Sequence, residues 1–424
     1  MSLQNTFSTQ RVVITGCGAI SPAGFGVDAL WQAVMDARCC LGPLTRFDSE
    51  GFDVKIAGQI PGYDAEAAGF SKKEARRLGR FIQYAMVASD EAFAQSGLDL
   101  NLEDTTRIAC VFGSGMGGIE VLERDHRAYF ERGPKRVSPL FIPQMISNMA
   151  AGNLAIRYGL RGECSSIVTA CATGTHCIGE AYRLIRFGYA DAALAGGTEE
   201  SVTPMCIAGF GNLGALTKET NPTQASRPFD MRRSGFVAAE GAGALVLESF
   251  EHARARGARI IAEIVGFGST GDAHHMTSPA PDGEAATRAM REALAEGGFT
   301  PADLGHLNAH GTSTPVNDRT EAAALIGLCG EAGRDIPVVS IKGSIGHTLG
   351  AAGALEAIVC ALCVARDMVP PTAGFAQRDP ECPVAVLAEP LRDYPQSVAL
   401  STSLGFGGHN GALAFSPYRE REGE

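Results

Sequence analysis

The chain carries the same short pattern twice. A helix-type segment at residues 91–98 precedes a strand-type segment at 107–112, which runs into a loop of small residues. The same order returns at 292–299 and 306–310, followed by a second small-residue loop. Because two such copies build two similar α/β units, this repeat restricts the chain to an internally duplicated fold.

A second set of matching segments extends the repeat. Apolar residues enter the turns that hold Cys171 and His347, and each turn is followed by apolar residues at i, i+3, i+4 and i+7, which indicate a helix. Each half then returns through a short apolar strand.

We expect an N-terminal half at 1–255 and a C-terminal half at 256–424. The predicted α/β fold is layered α-β-α-β-α, with two mixed sheets around buried central helices. Insertions at 115–160 and 200–235 would form a cap carrying dimer contacts and an acyl tunnel.

Composition excludes several classes of protein. Hydrophobic residues at 45% and charged residues at 20% of 424 describe a globular chain. A net charge of -11 argues against a nucleic-acid partner. No segment approaches the roughly 20 apolar residues of a membrane span, and residues 1–11 lack the features of a secretory signal. We therefore predict a cytoplasmic protein without membrane insertion, whose twelve cysteines are reduced.

Two local patterns each allow two interpretations. Cys360 and Cys363 form a Cys-x-x-Cys, but they lie in a periodic apolar run that favours helix packing over a metal or redox site. Two groups of basic residues are either solvated helix faces or a docking surface for an acidic partner. The first basic cluster is Lys72, Lys73, Arg76, Arg77 and Arg80, and the second is Arg124, Arg127, Arg132, Lys135 and Arg136.

The loop Gly113-Ser-Gly-Met-Gly-Gly118 formally matches the dinucleotide pattern Gly-x-Gly-x-x-Gly. That pattern requires a second strand ending in an acidic residue about 20 positions later. Residues 132–139 interrupt the chain there with basic residues and prolines. The loop is therefore a weak indication of nucleotide binding, and we predict no cofactor.

Three polar side chains lie in separate turns of small residues: Cys171, His310 and His347. Cys171 precedes a predicted helix, whose exposed N–H groups favour a thiolate. A cysteine alone fits a hydrolase, a thiolase or a redox enzyme. A cysteine nucleophile with two imidazoles is a set that can form a carbon–carbon bond on a thioester.

Four motifs resemble, in order, the signatures of the 3-oxoacyl-(acyl-carrier-protein) synthases, the elongating condensing enzymes. They are Thr169-Ala-Cys-Ala-Thr-Gly174, Asn308-Ala-His-Gly-Thr-Ser-Thr314, Lys342-Gly-Ser-Ile-Gly-His347 with Leu349-Gly-Ala-Ala-Gly353, and Gly405-Phe-Gly-Gly408. The similarity extends from Arg11 to Gly411. It implies the duplicated thiolase fold, an acyl carrier protein as partner and a homodimer.

The resemblance also implies a division of chemical roles. Cys171 would take the growing acyl chain as a thioester, while His310 and His347 hold the malonyl thioester carbonyl. Loss of carbon dioxide then leaves a carbanion that attacks the acyl group on Cys171. The backbone N–H groups of Cys171 and Phe406 would bind the tetrahedral oxyanion, and the Phe406 ring would act as a gate.

Other positions match supporting residues of that family. Lys342 would act electrostatically, organised by Asp318 and Glu321, with Glu356 as a buried member of the catalytic network. The predicted substrate contacts are Thr312 and Thr314 to the pantetheine arm, Met116 in the acyl pocket, and Thr277 in a loop near the pantetheine channel. Some members hold a monovalent cation near Asn308, Glu356, Ser401 and Thr402. Because Ser401-Thr-Ser-Leu404 departs from the usual motif, we predict no metal.

Departures from the family pattern leave the pathway open. Ser234 replaces a usual aspartate, and His409 replaces a common threonine, although neither change removes a catalytic group. A thiolase is the rival enzyme, but it needs a second cysteine where this chain has Phe406. The other alternative is a condensing or chain-length-factor-like subunit of a specialised lipid or polyketide pathway. Retention of Cys171 argues against a subunit that has lost its catalytic activity.

Overall fold

The computed structural model describes residues 9–419, so most of the segment tested for a secretory signal lies outside the described part. The described strands, β1 to β14, are Val12–Ser21, Gly24–Phe25, Gly42–Pro43, Ile56–Ala57, Ile108–Gly113, Cys164–Ser165, Ala192–Glu199, Gly241–Ser249, Ala262–Gly271, Leu304–Asn308, Pro337–Val339, Ala385–Val386, Val398–Gly405 and His409–Ser416. The described α-helices, α1 to α14, are Val27–Met35, Lys72–Ala75, Arg80–Ser96, Ile119–Arg132, Phe141–Met145, Met149–Tyr158, Thr173–Arg186, Pro204–Asn212, Pro222–Ala225, Phe250–Ala255, Glu284–Glu296, Pro315–Cys329, Lys342–Ile345 and Ala352–Arg366.

The strand order confirms the duplication. Outward from the middle of the molecule, one half runs β1-β8-β7-β5-β6 and the other β9-β14-β13-β10-β11, so the two orders correspond strand by strand. Both halves mix parallel and antiparallel pairs. The two predicted mixed sheets are joined at their inner edges, where β1 and β9 pair antiparallel over Val12–Ile14. This pairing covers the inner edges that two separate sheets would leave open.

Helices α7 and α14 lie at the centre of the fold, as the repeat predicted. Nearly every residue of α14 is buried, including Cys360 and Cys363, in one apolar cluster with residues of α7. Small residues allow this approach, since a Cβ on Gly174 would lie 2.7 Å from the backbone nitrogen of Ala354. The segment Leu349–Arg366 is long and apolar enough to cross a membrane, but 89% of it is buried inside the protein. The structure therefore uses α14 as a core helix.

The loops that follow several central strands and the turn that precedes α7 meet at one end of the two halves. The loop after β10 carries His310, the segment after β11 carries Lys342 and His347, and the β13–β14 hairpin carries Phe406. The turn before α7 carries Cys171. Helices α4 and α8, from the two predicted cap insertions, contact each other beside this convergence point.

Candidate active site

Cys171 lies in a tight turn directly before α7. The turn is a short 3-10 segment, Ala170–Ala172, closed by a hydrogen bond from the Ala172 N–H to the Thr169 carbonyl at 3.0 Å. Ala170 has a φ of 51°, in the left-handed region that residues other than glycine adopt infrequently. The sequence predicted Cys171 between a strand-type segment and the start of a helix. The structure has a constrained turn at this place.

Cys171, His310 and His347 meet in a cavity of about 340 Å³, which we call the reaction chamber. The cysteine sulfur and one ring nitrogen of each histidine all lie within 4.8 Å of one another. The two rings are nearly perpendicular, at 84°, with centroids 5.1 Å apart. Three such ligands could in principle hold a metal ion. The ammonium group of Lys342, 3.2 Å from Nδ1 of His310, opposes a second cation at this place.

Both chamber histidines are neutral. Burial lowers the pKa of His310 and of His347 well below 6.5, and the neighbouring Lys342 cation lowers both further. Lys342 donates to Nδ1 of His310, and the N–H of Leu349 donates to Nδ1 of His347 at 3.3 Å. Since each Nδ1 accepts, each proton is placed on Nε2. The pair therefore offers two uncharged N–H donors to an oxygen on the substrate.

The structure corrects the predicted partners of Lys342. Its Nζ donates to Glu356 and to the His310 carbonyl oxygen, and both ionic side chains are only 1% exposed. Asp318 and Glu321 were expected to organise this lysine, but they make no direct hydrogen bond to it among the described residues. Glu356 lies in the second turn of the central helix α14, and the packing of this helix brings its carboxylate to Lys342.

Glu321 and Asp318 instead hold the loop that carries His310. Glu321 accepts the backbone N–H groups of His310 and Gly311 at 2.7 and 2.6 Å. Asp318 accepts the N–H of Phe229 at 2.7 Å, lies 3.6 Å from Arg233 and is also approached by the backbone N–H of Ser313 in the His310 loop. These carboxylates act on the backbone around His310, so they support the site without facing the substrate.

The Cys171 thiol is uncharged at rest. Burial raises its pKa to about 12, while Lys342 and the backbone N–H of Phe406 lower it in part. The sequence prediction of a thiolate stabilised by the start of α7 is therefore incomplete, because burial outweighs the charges and donors that favour the anion. The thiol releases its proton when it reacts.

The Phe406 loop approaches the nucleophile closely. The backbone N–H of Phe406 lies close enough to Cys171 to lower the pKa of its thiol in part. A Cβ on Gly405 would lie 2.5 Å from the Thr169 carbonyl and 3.4 Å from the Cys171 nitrogen, so only glycine permits this contact. The geometry suits a pair of backbone donors from Cys171 and Phe406 around one oxyanion.

Phe406 also separates two cavities. Its side chain lines the reaction chamber and a second space of about 970 Å³, the outer cavity, which lies between α4 and α8. The ring is tilted against Phe210 at a centroid distance of 6.3 Å. Phe210, Leu213 and Thr277 line both spaces as well, and the role of the Phe406 ring as a gate stays a prediction.

The predicted substrate residues are divided between these cavities. Thr312 and Thr314 line the chamber, and their hydroxyls are 2.9 Å apart. Thr277 lines both cavities from a loop near the surface. Met116 lines the outer cavity, where its sulfur lies 3.8 Å from the Cys206 sulfur. Ser234 also lines the chamber, bonded to the Thr217 hydroxyl at 2.8 Å.

Sequence reasoning missed Glu199, a fully buried carboxylate beside the site. It accepts the Ser114 hydroxyl at 2.7 Å and the N–H groups of Gly115 and Gly350, both at 2.9 Å. Burial raises its pKa to about 7. The loop that resembled a dinucleotide motif thus donates its amides to this carboxylate. An acidic residue at the end of an apolar strand was the available signal.

Two buried oxygens near the chamber lack a hydrogen-bond partner among the described residues: Asn308 Oδ1 and Glu356 Oε2. Both belong to positions that the resemblance associates with a monovalent cation. Oxygen atoms of this kind are ligands that hard cations prefer, so the residues present fit such an ion. It would serve as a structural element behind Lys342 and His310.

Comparisons with known proteins agree with this geometry. Residues 9–253 match the sequence model of the beta-ketoacyl synthase N-terminal domain, and residues 261–376 match that of the C-terminal domain. The chain is 46% identical to 3-oxoacyl-[acyl-carrier-protein] synthase 2 of Staphylococcus aureus (strain COL) over 409 residues, covering 96% of this chain and 99% of the relative. The enzyme of the same name from Vibrio cholerae serotype O1 is also 46% identical, with the same coverage.

Two solved structures have the same fold. A beta-ketoacyl synthase from Burkholderia phymatum superposes with a TM-score of 0.90 at 35% identity, covering 97% of this chain and 100% of the other. The ketosynthase of a type II PKS, solved in complex with its acyl-carrier protein, gives a TM-score of 0.90 at 31% identity, again with 97% and 100% coverage.

Proposed function

Because the chain belongs to the beta-ketoacyl synthase family, we propose that it condenses an acyl group with malonyl-ACP, where ACP is the acyl carrier protein. The products are 3-oxoacyl-ACP, carbon dioxide and free ACP, and the reaction elongates an acyl chain in fatty-acid or related synthesis. The observation that carries this proposal is the meeting of the Cys171 sulfur with two neutral imidazoles within 4.8 Å.

The first half-reaction transfers the acyl group to Cys171. The sulfur attacks the thioester carbonyl of acyl-ACP, and the N–H groups of Cys171 and Phe406 stabilise the oxyanion that forms. The bond from the carbonyl carbon to the carrier sulfur breaks, and the proton of the Cys171 thiol leaves on the carrier thiol. Burial keeps the resting thiol protonated. The thiol therefore supplies the proton that the carrier sulfur takes up, and no external base is needed.

The second half-reaction uses the two histidines. The Nε2–H groups of His310 and His347 donate to the thioester oxygen of malonyl-ACP, so that the loss of carbon dioxide leaves a stabilised enolate. The enolate carbon attacks the acyl carbonyl on Cys171, and the Cys171 sulfur leaves as a thiolate. The thiolate takes one proton from solvent, which balances the negative charge that the malonyl carboxylate brought in. Neutral imidazoles suit this step, because a donor without net charge binds the oxyanion and does not attract the departing carboxylate.

The carrier protein would dock on a basic surface. Gln144 joins the two basic clusters: its amide donates to the Arg76 carbonyl at 2.7 Å and accepts from Arg124 at 3.0 Å. On a chain of net charge -11, such a joined basic surface favours an acidic partner. The related ketosynthase solved with its acyl-carrier protein supports the choice of ACP.

Homodimer formation and a cytoplasmic location are further parts of the proposal. Large apolar side chains of α4 and α8 are exposed, among them Phe130 at 71% and Met205 at 66%, and they would form the seam between two copies. All twelve cysteines are free thiols, which supports a reducing compartment. Light scattering of the purified protein measures the oligomeric state directly.

The alternative is a role in a specialised lipid or polyketide pathway. One similar structure is the ishigamide ketosynthase/chain length factor, at 33% identity and a TM-score of 0.89. The same residues would perform the condensation on a different acyl chain. If this protein condensed its substrates only after a second, different subunit was added, that result would support this alternative.

Intact-protein mass spectrometry with acyl-ACP, followed by malonyl-ACP, tests the proposal. Wild-type protein should gain one acyl group on Cys171 and then release 3-oxoacyl-ACP, whereas Cys171→Ala should do neither. Cys164→Ala is the matched control, because this thiol is exposed and lies outside the reaction chamber. Unchanged product formation by Cys171→Ala would refute the proposal.

A further inference from the structure

His176 is a buried histidine that the condensation mechanism does not use. It lies on α7, five residues after Cys171, and is only 6% exposed. Its Nδ1 is 2.7 Å from the Thr169 hydroxyl, and its Nε2 is 3.1 Å from the Ser269 hydroxyl. A Cβ on Gly411 would lie 3.3 Å from Nε2 of His176, so the ring also packs against the backbone of β14 beside Asn410. One side chain therefore contacts three separate segments of the chain.

These partners determine the protonation state of the ring. Burial, aided by the neighbouring His409, lowers the pKa of His176 to about 4, so the imidazole is neutral at physiological pH. Both hydroxyl partners can donate or accept, so the neutral ring donates one hydrogen bond and accepts the other in either tautomer.

The segments that His176 contacts belong to the two sides of the acyl-transfer site. Thr169 begins the constrained Cys171 turn, next to Ala170 with its φ of 51°. Asn410 pairs with Leu404 at the base of the β13–β14 hairpin, whose loop carries Phe406. Thr169 comes from the N-terminal half of the chain, whereas Ser269 and Asn410 come from the C-terminal half.

The approach between these segments is close. A Cβ on Gly405 would lie 2.5 Å from the Thr169 carbonyl, so the hairpin rests directly on the nucleophile turn. A shift of either segment would move the Cys171 N–H relative to the Phe406 N–H. Donors around an oxyanion act only when both are held within hydrogen-bond distance of it.

We propose that His176 is a positioning residue that ties the Thr169–Ala172 turn to the β13–β14 hairpin and so keeps the Cys171 and Phe406 N–H groups directed at one oxyanion. The inference rests on the proposed condensation and deepens it. It assigns His176 to the steps that form an oxyanion at the acyl carbonyl and not to decarboxylation, because His310 and His347 are held by Lys342, Glu321 and Leu349.

The test separates the two partial reactions. Acyl transfer is followed by the mass gain on Cys171 with acyl-ACP, and decarboxylation by carbon dioxide release from malonyl-ACP without an acyl donor. In His176→Ala, acyl transfer should slow by at least about tenfold, as for loss of oxyanion stabilisation, while carbon dioxide release stays within about twofold. His176→Asn retains an acceptor for Thr169 and should recover part of the acyl-transfer rate.

A role in stability alone predicts a different pattern. Cys177→Ala, at the next position of α7, removes a buried side chain that contacts Ile167 and not the hairpin, and it serves as the control for a weakened helix. If His176→Ala does not fold, His176→Asn provides the same comparison at nearly constant volume. Equal losses in both partial reactions, or acyl transfer at the wild-type rate, would overturn the inference. Failure of the wild-type protein to acylate would instead refute the proposed function.

Discussion

Nζ of Lys342 lies 3.2 Å from Nδ1 of His310 and 2.5 Å from the carbonyl oxygen of the same residue. The cation therefore contacts both the ring and the backbone of one catalytic histidine from behind. It directs the ring proton towards the chamber, where a substrate oxygen can accept it. Glu356 compensates the buried charge of Lys342.

Replacing Lys342 should affect decarboxylation more than acyl transfer. Lys342→Met removes the donor to Nδ1, and we expect carbon dioxide release from malonyl-ACP to fall by about a hundredfold, a typical value for loss of acid–base assistance. Acylation of Cys171 should change much less, because it uses the backbone donors.

Two further variants make this result specific. Lys342→Met leaves Glu356 buried without its partner, which costs about 3–5 kcal/mol, so the double variant with Glu356→Gln should restore stability but not decarboxylation. Lys218→Met is the control, since Lys218 pairs with Asp53 at an exposed position. Equal effects of the two single lysine variants would contradict the assignment.

Met116 should limit the length of the acyl chain. Its sulfur contacts Cys206, and both side chains line the outer cavity of about 970 Å³. Met116→Ala removes part of this wall, and Cys171 should then accept longer acyl groups. Each buried methylene contributes about 0.8 kcal/mol, or roughly a fourfold gain in preference.

A series of acyl-ACP substrates of increasing length, with the mass gain on Cys171 as the signal, measures this effect. Met231→Ala is the matched control, because Met231 is 55% exposed and lines neither cavity. A length profile that Met231→Ala shifts as much as Met116→Ala would show that Met116 is not the limit.

Charge reversal on the joined basic surface should weaken carrier binding. In Lys135→Glu/Arg136→Glu, we expect KM for acyl-ACP to rise by about tenfold at low salt, with little change in kcat, since rim charges act mainly on association. Transfer from a small acyl thioester without a carrier should be unaffected. A KM that rises equally for both donors would place the carrier elsewhere.

Glu200 should make folding stability depend on pH. Burial raises its pKa to about 8, although the N–H groups of Phe81 and Glu120 bond the carboxylate. The folded state keeps this proton up to about pH 8, whereas the unfolded chain releases it near pH 4.5. The contribution of this group is fully present below pH 4.5 and falls as pH rises to 8, by about 1.4 kcal/mol per unit.

Urea unfolding at several pH values between 5.5 and 7.5 tests this dependence. The free energy of unfolding of Glu200→Gln should fall less steeply than that of the wild type, so the variant should become more stable relative to the wild type as pH rises. Glu331→Gln, at a position 83% exposed, should keep the wild-type slope. Parallel curves for Glu200→Gln and the wild type would show that Glu200 is ionised throughout.

The sequence predicted the parts of the site that lie in short motifs. Cys171, His310 and His347 each stand in a turn whose residues match a signature, and the structure places all three in one chamber. The repeat also predicted the duplicated strand order and the two central helices. The division near residue 255 stays a prediction, because the β1–β9 pairing and a shared apolar core join the two halves.

The sequence did not indicate partners that depend on packing. Lys342 pairs with Glu356 rather than with Asp318 or Glu321, because helix packing and not sequence distance determines which carboxylate reaches it. Glu199 and His176 bond backbone and hydroxyl groups far away in the chain, and such contacts leave no local pattern. The raised pKa of Cys171 likewise follows from burial, which a motif does not report.

The fate of the acyl group in His347→Ala tests the central claim most directly. The account assigns acyl transfer to Cys171 with its backbone donors, and carbanion formation to the two histidines. Acyl-ACP should therefore load Cys171 of this variant fully, and added malonyl-ACP should leave the acyl enzyme unchanged, whereas the wild type releases one carbon dioxide and one 3-oxoacyl-ACP per acyl group. If His347→Ala consumed its acyl group at the wild-type rate, the claim would be contradicted.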